Sequence, residues 1–131
     1  MRDAVWIDER DALALHDRLL ALDGGAAGVR NLGLLQSALA RPQQLHAYGD
    51  APDTIDMAAA YTVGIVRNHP FVDGNKRTAF VVGVLFLEIN GHRFTATEED
   101  ATQAVLGLAD RTIDEAAFIR WLRANVSRSP R

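Results

Sequence analysis

Apolar residues return along this chain mostly at the helical period. Between Asp8 and Leu22 they fall at Leu13, Leu15, Leu19, Leu20 and Leu22. That spacing predicts a first helix with those leucines on its buried side and Asp8 as its cap. "DGGAAG" ends it, because glycine tolerates the left-handed exit from a helix. Asn31 starts a short helix through Leu34, Leu35, Ala38 and Leu39, predicted to stop at Arg41-Pro42. Gln43 to Pro52 then reads as loop. Asp53 caps a helix to Asn68 that carries Ile55, Ala59, Val63 and Val66. The stretch from Asn75 to Asn90 is apolar nearly all round, which predicts the central, buried helix. Thr97 with Asp100 resembles a capping box and opens a helix to about Ala109. Asp114 opens the last helix, with Phe118, Trp121 and Leu122 turned inward. Val5-Trp6-Ile7 and Arg93-Phe94-Thr95 alternate, and are predicted to pair as a minor two-stranded ribbon. The whole pattern predicts an all-α fold: a compact bundle of about six helices. It reads as a single domain over residues 1–131, with a flexible tail from about residue 124.

Composition removes several kinds of chemistry. The chain has no cysteine, so disulfides, zinc–thiolate sites and thiol nucleophiles are excluded. The longest apolar run, Ala79 to Leu87, is too short for a membrane span. "MRDAVWIDERD" has no apolar region of the kind a signal peptide needs. A cytoplasmic protein with no membrane contact is expected. The net charge of −3 argues against a general nucleic-acid binder. His16, His46 and His92 show no metal-ligand spacing and are expected at the surface or half-buried.

One stretch breaks the usual rules of helix design. In "RNHPFVDGNKRTAF", Arg67 to Phe80, Pro70 turns the chain out of one helix and Gly74 and Asn75 lead into the next. Asn75 is the expected cap of that second helix. Its first turn carries Lys76 and Arg77, where the backbone is already positive. Each such cation costs roughly 0.3–1 kcal/mol unless something offsets it. A bound polyphosphate would offset it, because a glycine turn feeding a helix start presents N–H donors to an anion. Lys76, Arg77 and Arg67 would then face the phosphates. Asp73 could hold a magnesium ion bridging them, since Mg²⁺ is usually bound by one or two carboxylates plus phosphate oxygens. His69 could take a proton from an incoming hydroxyl. Each residue also has a plainer reading. The cations could face solvent, Asp73 could be an ordinary acid before a helix, and His69 could pair with the carbonyls closing the helix before it. The residues alone leave both open.

"HPFVDGNKRTA" closely resembles the Fic/Doc family, and its Doc branch in particular. The broad Fic pattern is His, any residue, Phe, any residue, Asp or Glu, Gly, Asn, Gly, Arg, then a second Arg three positions on. This chain matches at His69, Phe71, Asp73, Gly74, Asn75 and Arg77. It departs at Lys76 and at Phe80, as Doc toxins do. "GVRNLGLLQSALARPQQLHAYGD" and "FLEINGHRFTATEEDA" also look like Doc proteins, so the resemblance runs from about Ile7 to Leu122.

The resemblance implies a toxin kinase that binds ATP reversed relative to Fic enzymes and moves its γ-phosphate to a threonine of elongation factor Tu. By the same resemblance His69 is the general base and Asp73 the magnesium ligand. Gly74 and Asn75 supply anion-binding groups, and Lys76, Arg77 and Arg67 stabilise phosphate charge. Many Fic enzymes carry an inhibitory helix, and its sequence pattern is absent here, so a Phd-like antitoxin is the implied restraint. Its disordered end would fold into a groove on the toxin. Two other readings stay open: a Fic-type AMP transferase, and a catalytically silent interaction module.

Overall fold

The computed structural model describes residues 4–128. The elements run α1 (Glu9–Asp23), α2 (Leu32–Tyr48), α3 (Thr54–Asn68), α4 (Asn75–Ile89), β1 (His92–Phe94), α5 (Glu98–Asp110), α6 (Glu115–Ala124) and β2 (Val126–Arg128). The fold is all-α apart from the β1–β2 ribbon.

Helix starts follow the predicted chemistry with one exception. Asp8, Asn31, Asp53, Thr97 and Asp114 each accept a hydrogen bond from a backbone N–H of the first turn. Asp8 and Asp53 complete capping boxes with Asp11 and Asp56. α4 is the exception. Gly74, not Asn75, occupies its cap position, in the left-handed region at φ 78°, and no side chain caps the helix.

The central helix is α3, not α4. Ile55 and every residue from Met57 to Val66 are buried, and α2, α4, α5 and α6 pack around them. α4 buries one face, through Thr78, Ala79, Val82, Gly83, Phe86 and Leu87. Hydropathy favoured α4 because it carries larger apolar residues. α3 takes the centre because small residues at its seams let the neighbouring helices close in, while Met57, Tyr61 and Ile65 fill the space between them. A Cβ on Gly64 would sit 3.4 Å from Ala38, and one on Gly83 would sit 2.3 Å from Thr62 Oγ1. Small residues thus bring α2 and α4 close to α3, and the Thr62 hydroxyl donates to the Ala79 carbonyl at 2.8 Å across one of those seams. Phe86 and Phe118 fill the gaps between helices, each contributing about 1.5–3 kcal/mol on full burial.

Three further expectations need correction. α2 does not stop at Arg41-Pro42 but runs on to Tyr48 with Pro42 inside it. Proline removes one hydrogen bond, here to the Ala38 carbonyl. The apolar stripe nevertheless continues in register through Leu35, Ala38, Leu39, Pro42 and Leu45, and the buried ring packs within it. The ribbon does not use Val5–Ile7. β1 pairs antiparallel with β2, His92 opposite Arg128 and Phe94 opposite Val126. Part of the expected flexible tail is therefore a strand, while residues 129–131 lie outside the described residues. Val5–Ile7 is held by side chains: Asn90 bonds both the N–H and the C=O of Val5, and the Tyr61 hydroxyl bonds both those of Ile7. Finally, α1 buries Ala12 and His16 fully, while its leucines are only partly covered and Leu22 is 72% exposed. No helix among the described residues is long and apolar enough to cross a membrane.

Candidate active site

The bend between α3 and α4 is assembled from the inside outward. α3 ends at Asn68, and His69 follows in the left-handed region at φ 51°. That conformation is uncommon for a non-glycine residue and needs support. Arg30 supplies it, with Nε donating to the His69 carbonyl at 2.7 Å and Nη2 to the Asn68 carbonyl at 2.9 Å. Phe71 is fully buried and anchors the bend. Asn75 clasps it: Oδ1 accepts the Phe71 N–H at 2.8 Å and Nδ2 donates to the Phe71 carbonyl at 2.9 Å. This double contact fixes which end of the amide is which. A donor therefore faces His69 Nδ1, 3.2 Å away.

Asp73 is turned back from α4 toward the glycine loop after α1. Its Oδ2 accepts the Ala26 N–H at 3.1 Å and its Oδ1 accepts the Gly74 N–H at 2.8 Å. These two backbone donors, Ala26 first, with smaller help from His16 and then Lys76, hold the carboxyl below the usual carboxylate range. Asp73 is exposed and ionised. Each of its oxygens keeps a lone pair free for a cation. Among the described residues no three His, Cys, Asp or Glu side chains gather to hold a metal alone. A hard cation at Asp73 would share its ligands with a phosphate, which fits Mg²⁺ better than a metal caged by protein.

The loop from Asp23 to Asn31 lies along this bend. Val72 N–H donates to the Gly28 carbonyl at 3.0 Å, and the N–H groups of Arg30 and Asn31 both reach the Pro70 carbonyl. A Cβ on Gly25, which sits at φ 119°, would meet Asp73 Oδ2 at 2.8 Å, so only glycine passes there without displacing the carboxylate.

Asp73, Gly74, Asn75, Lys76 and Arg77 line one cleft of about 610 Å³. Its far side is mostly apolar, made by Phe80 and Val81 of α4, Phe94 of β1, and Ala101, Val105 and Leu106 of α5, with Glu98 and Thr102 of α5 as its polar members. Lys76 makes no ion pair among the described residues, while Arg77 pairs with Asp23 at the end of α1. His69 is exposed and does not line the cleft; it is joined to it through Asn75, which does. Arg67 is not brought to the cleft lining. It lies 3.8 Å from Glu115, which also pairs with Arg41. A smaller hollow of about 450 Å³ beside that cluster contains none of the bend residues.

Sequence reasoning missed three supports of the bend: His16, Arg30 and Asp23. His16 is 2% exposed, not at the surface, and its Nε2 lies 2.7 Å from the Asp73 carbonyl. A histidine at a position in register with Ala12 was the available signal. Nothing local marked Arg30, which acts 38 and 39 residues away along the chain.

The Fic/DOC family model matches residues 6–87. The chain is 51% identical over 93 residues to the Toxin Doc of Mycolicibacterium smegmatis, covering 70% of this chain and 68% of that protein. It is 34% identical over 110 residues to the Protein kinase doc of Escherichia phage P1, covering 84% and 81% respectively. The chain that folds this bend therefore belongs to the Fic/DOC family, on its Doc toxin branch.

Proposed function

We propose that this protein is a toxin kinase. It moves the γ-phosphate of ATP to a protein threonine hydroxyl, and elongation factor Tu is the target that the Doc resemblance implies. The observation that carries the reading is the open amino end of α4. It has no side-chain cap, it holds Lys76 and Arg77 in its first turn, and it stands beside an ionised Asp73. An anion there gains from the backbone N–H groups and both cations. The name of the phage P1 relative supports phosphoryl transfer over other uses of an anion site.

In the reaction, the threonine oxygen bonds to the γ-phosphorus, the bond to the β–γ bridging oxygen breaks, and ADP leaves. The hydroxyl proton passes to His69. With Asn75 donating to Nδ1, the neutral ring carries its hydrogen on Nε2 and its basic nitrogen is Nδ1. The hydroxyl is deprotonated where it replaces the Asn75 amide at that nitrogen. Magnesium, when bound at Asp73 and the phosphates, supplies charge neutralisation. Lys76 stabilises phosphate charge from the cleft wall. Arg77 does so after exchanging Asp23 for phosphate oxygens. Arg67 joins them only by leaving Glu115. A Phd-like antitoxin is the proposed restraint on the enzyme, acting in the cytoplasm.

The test is incubation with elongation factor Tu and ATP labelled at either the α- or the γ-phosphate. Retention of γ-label alone is expected, and His69→Ala should lower the rate roughly 10²–10⁴-fold. Retention of α-label would replace this reading with AMP transfer. Equal growth arrest by wild-type and His69→Ala protein would instead favour a catalytically silent module.

A further inference from the structure

His16 projects from α1 into the bend and meets it at two points. Its ring stacks face to face on Phe71, centroids 3.8 Å apart and planes 8° apart. Its Nε2 lies 2.7 Å from the Asp73 carbonyl oxygen. A carbonyl only accepts, so Nε2 carries the hydrogen and donates it. The peptide joining Asp73 to Gly74 is a rigid plane with its C=O and N–H on opposite edges. His16 holds the first edge. The second edge, the Gly74 N–H, holds Asp73 Oδ1. The carboxylate is thus held at two points, Oδ1 by the Gly74 N–H and Oδ2 by the Ala26 N–H, and turning the peptide plane would displace the first of them. The ring also lies alongside Gly74, where a Cβ would stand 3.6 Å from His16 Nε2, at ordinary contact distance.

We propose that His16 is a positioning residue: through the Asp73–Gly74 peptide it sets the direction in which the Asp73 carboxylate faces the cleft. Any buried imidazole needs a partner for its ring N–H, so the choice of partner is the informative feature. Here it is the Asp73 carbonyl, one peptide away from the group that would bind a cation. The inference builds on the reading of Asp73 as a ligand of the magnesium–nucleotide complex.

Two substitutions separate packing from positioning. His16→Phe keeps a flat ring on Phe71 and removes the donor. His16→Gln keeps an N–H near the place of Nε2 and gives up the ring. Hydrogen exchange at the Gly74 amide, followed by nuclear magnetic resonance without any ligand, should be about tenfold faster in His16→Phe, the equivalent of one lost hydrogen bond. It should return close to the wild-type rate in His16→Gln. Affinity for Mn²⁺ with a non-hydrolysable ATP analogue, measured by titration calorimetry, should fall roughly 10–100-fold in His16→Phe and recover in His16→Gln. Wild-type exchange at Gly74 in His16→Phe would overturn the proposal. So would a His16→Gln protein that exchanges as fast as an unpinned bend, and this second variant decides the matter if His16→Phe does not fold. If wild-type protein binds no metal–nucleotide, the kinase reading fails by itself, and the Gly74 exchange rates still decide whether His16 positions the peptide.

Discussion

Two turns in this molecule begin alike and end differently. The α3–α4 bend and the α5–α6 turn both follow a helix that exits through a non-glycine residue in the left-handed region, His69 at φ 51° and Arg111 at φ 65°. The α5–α6 turn then satisfies itself. The Ile113 N–H reaches the Gly107 carbonyl, the Thr112 N–H reaches the Asp110 carboxylate, and Asp114 caps α6 by accepting from Ala117 at 2.8 Å. Glu115 in the first turn of α6 suits the positive helix end. The α3–α4 bend does none of this for α4. Its acid turns back toward Ala26, its first turn is cationic, and its carbonyls are held by Arg30 and His16 from distant parts of the chain. A turn built only to join helices closes on its own residues. A turn built to receive something leaves its donors free and borrows support from elsewhere.

The contrast can be broken most forcefully at Lys76. Lys76→Glu gives α4 the acid that α6 already has. Nucleotide affinity should fall roughly 10–100-fold, the scale of one lost charged hydrogen bond. Stability should rise by about 0.3–1 kcal/mol in denaturant melts. Retained affinity would mean that this helix end is no anion seat. Asp114→Ala probes the self-satisfied turn. It should cost about 1 kcal/mol of stability and leave phosphoryl transfer at the wild-type rate. A matching loss of activity would erase the distinction between the two turns.

The last test concerns the frame that both turns share. Burial of Tyr61 on α3 pushes its phenol up to about 12 from the ordinary 10.0. A group raised on folding contributes stability that is complete below its unfolded value. That contribution is then lost as pH rises through the folded value. Alkaline titration should therefore show one phenolate appearing near pH 12, with both turns melting together. Tyr61→Phe should remove that titration at a cost of about 1–3 kcal/mol, because the buried N–H and C=O of Ile7 lose their shared partner. Ionisation of Tyr61 well below that range would show the frame to be looser than its packing implies.

Much of this was legible in the sequence because it is local. Caps and helical spacing depend on residues three or four apart, so five of the six helix starts could be read from Asp8, Asn31, Asp53, Thr97 and Asp114. The chemistry of the bend was legible for the same reason, with its glycine and charges adjacent. What stayed hidden depends on distance. Pro42 looked like a stop because its local cost is plain, while the buried surface that offsets it comes from other helices. Arg93–Thr95 looked like a partner for Val5–Ile7 because both segments alternate, yet Phe94 pairs with Val126. His16 looked ordinary because its acceptor lies 57 residues away. Small residues made α3 look unremarkable, although smallness is what lets neighbours close around it.

The ribbon has a practical consequence at the other end of the chain. Phe94 forms part of the cleft wall, and the strand that backs it is the chain's last described element, Val126 to Arg128. An affinity tag or reporter joined beyond that strand would tug on a side of the very chamber an assay is meant to observe. Fusions for measuring this protein belong at the opposite terminus.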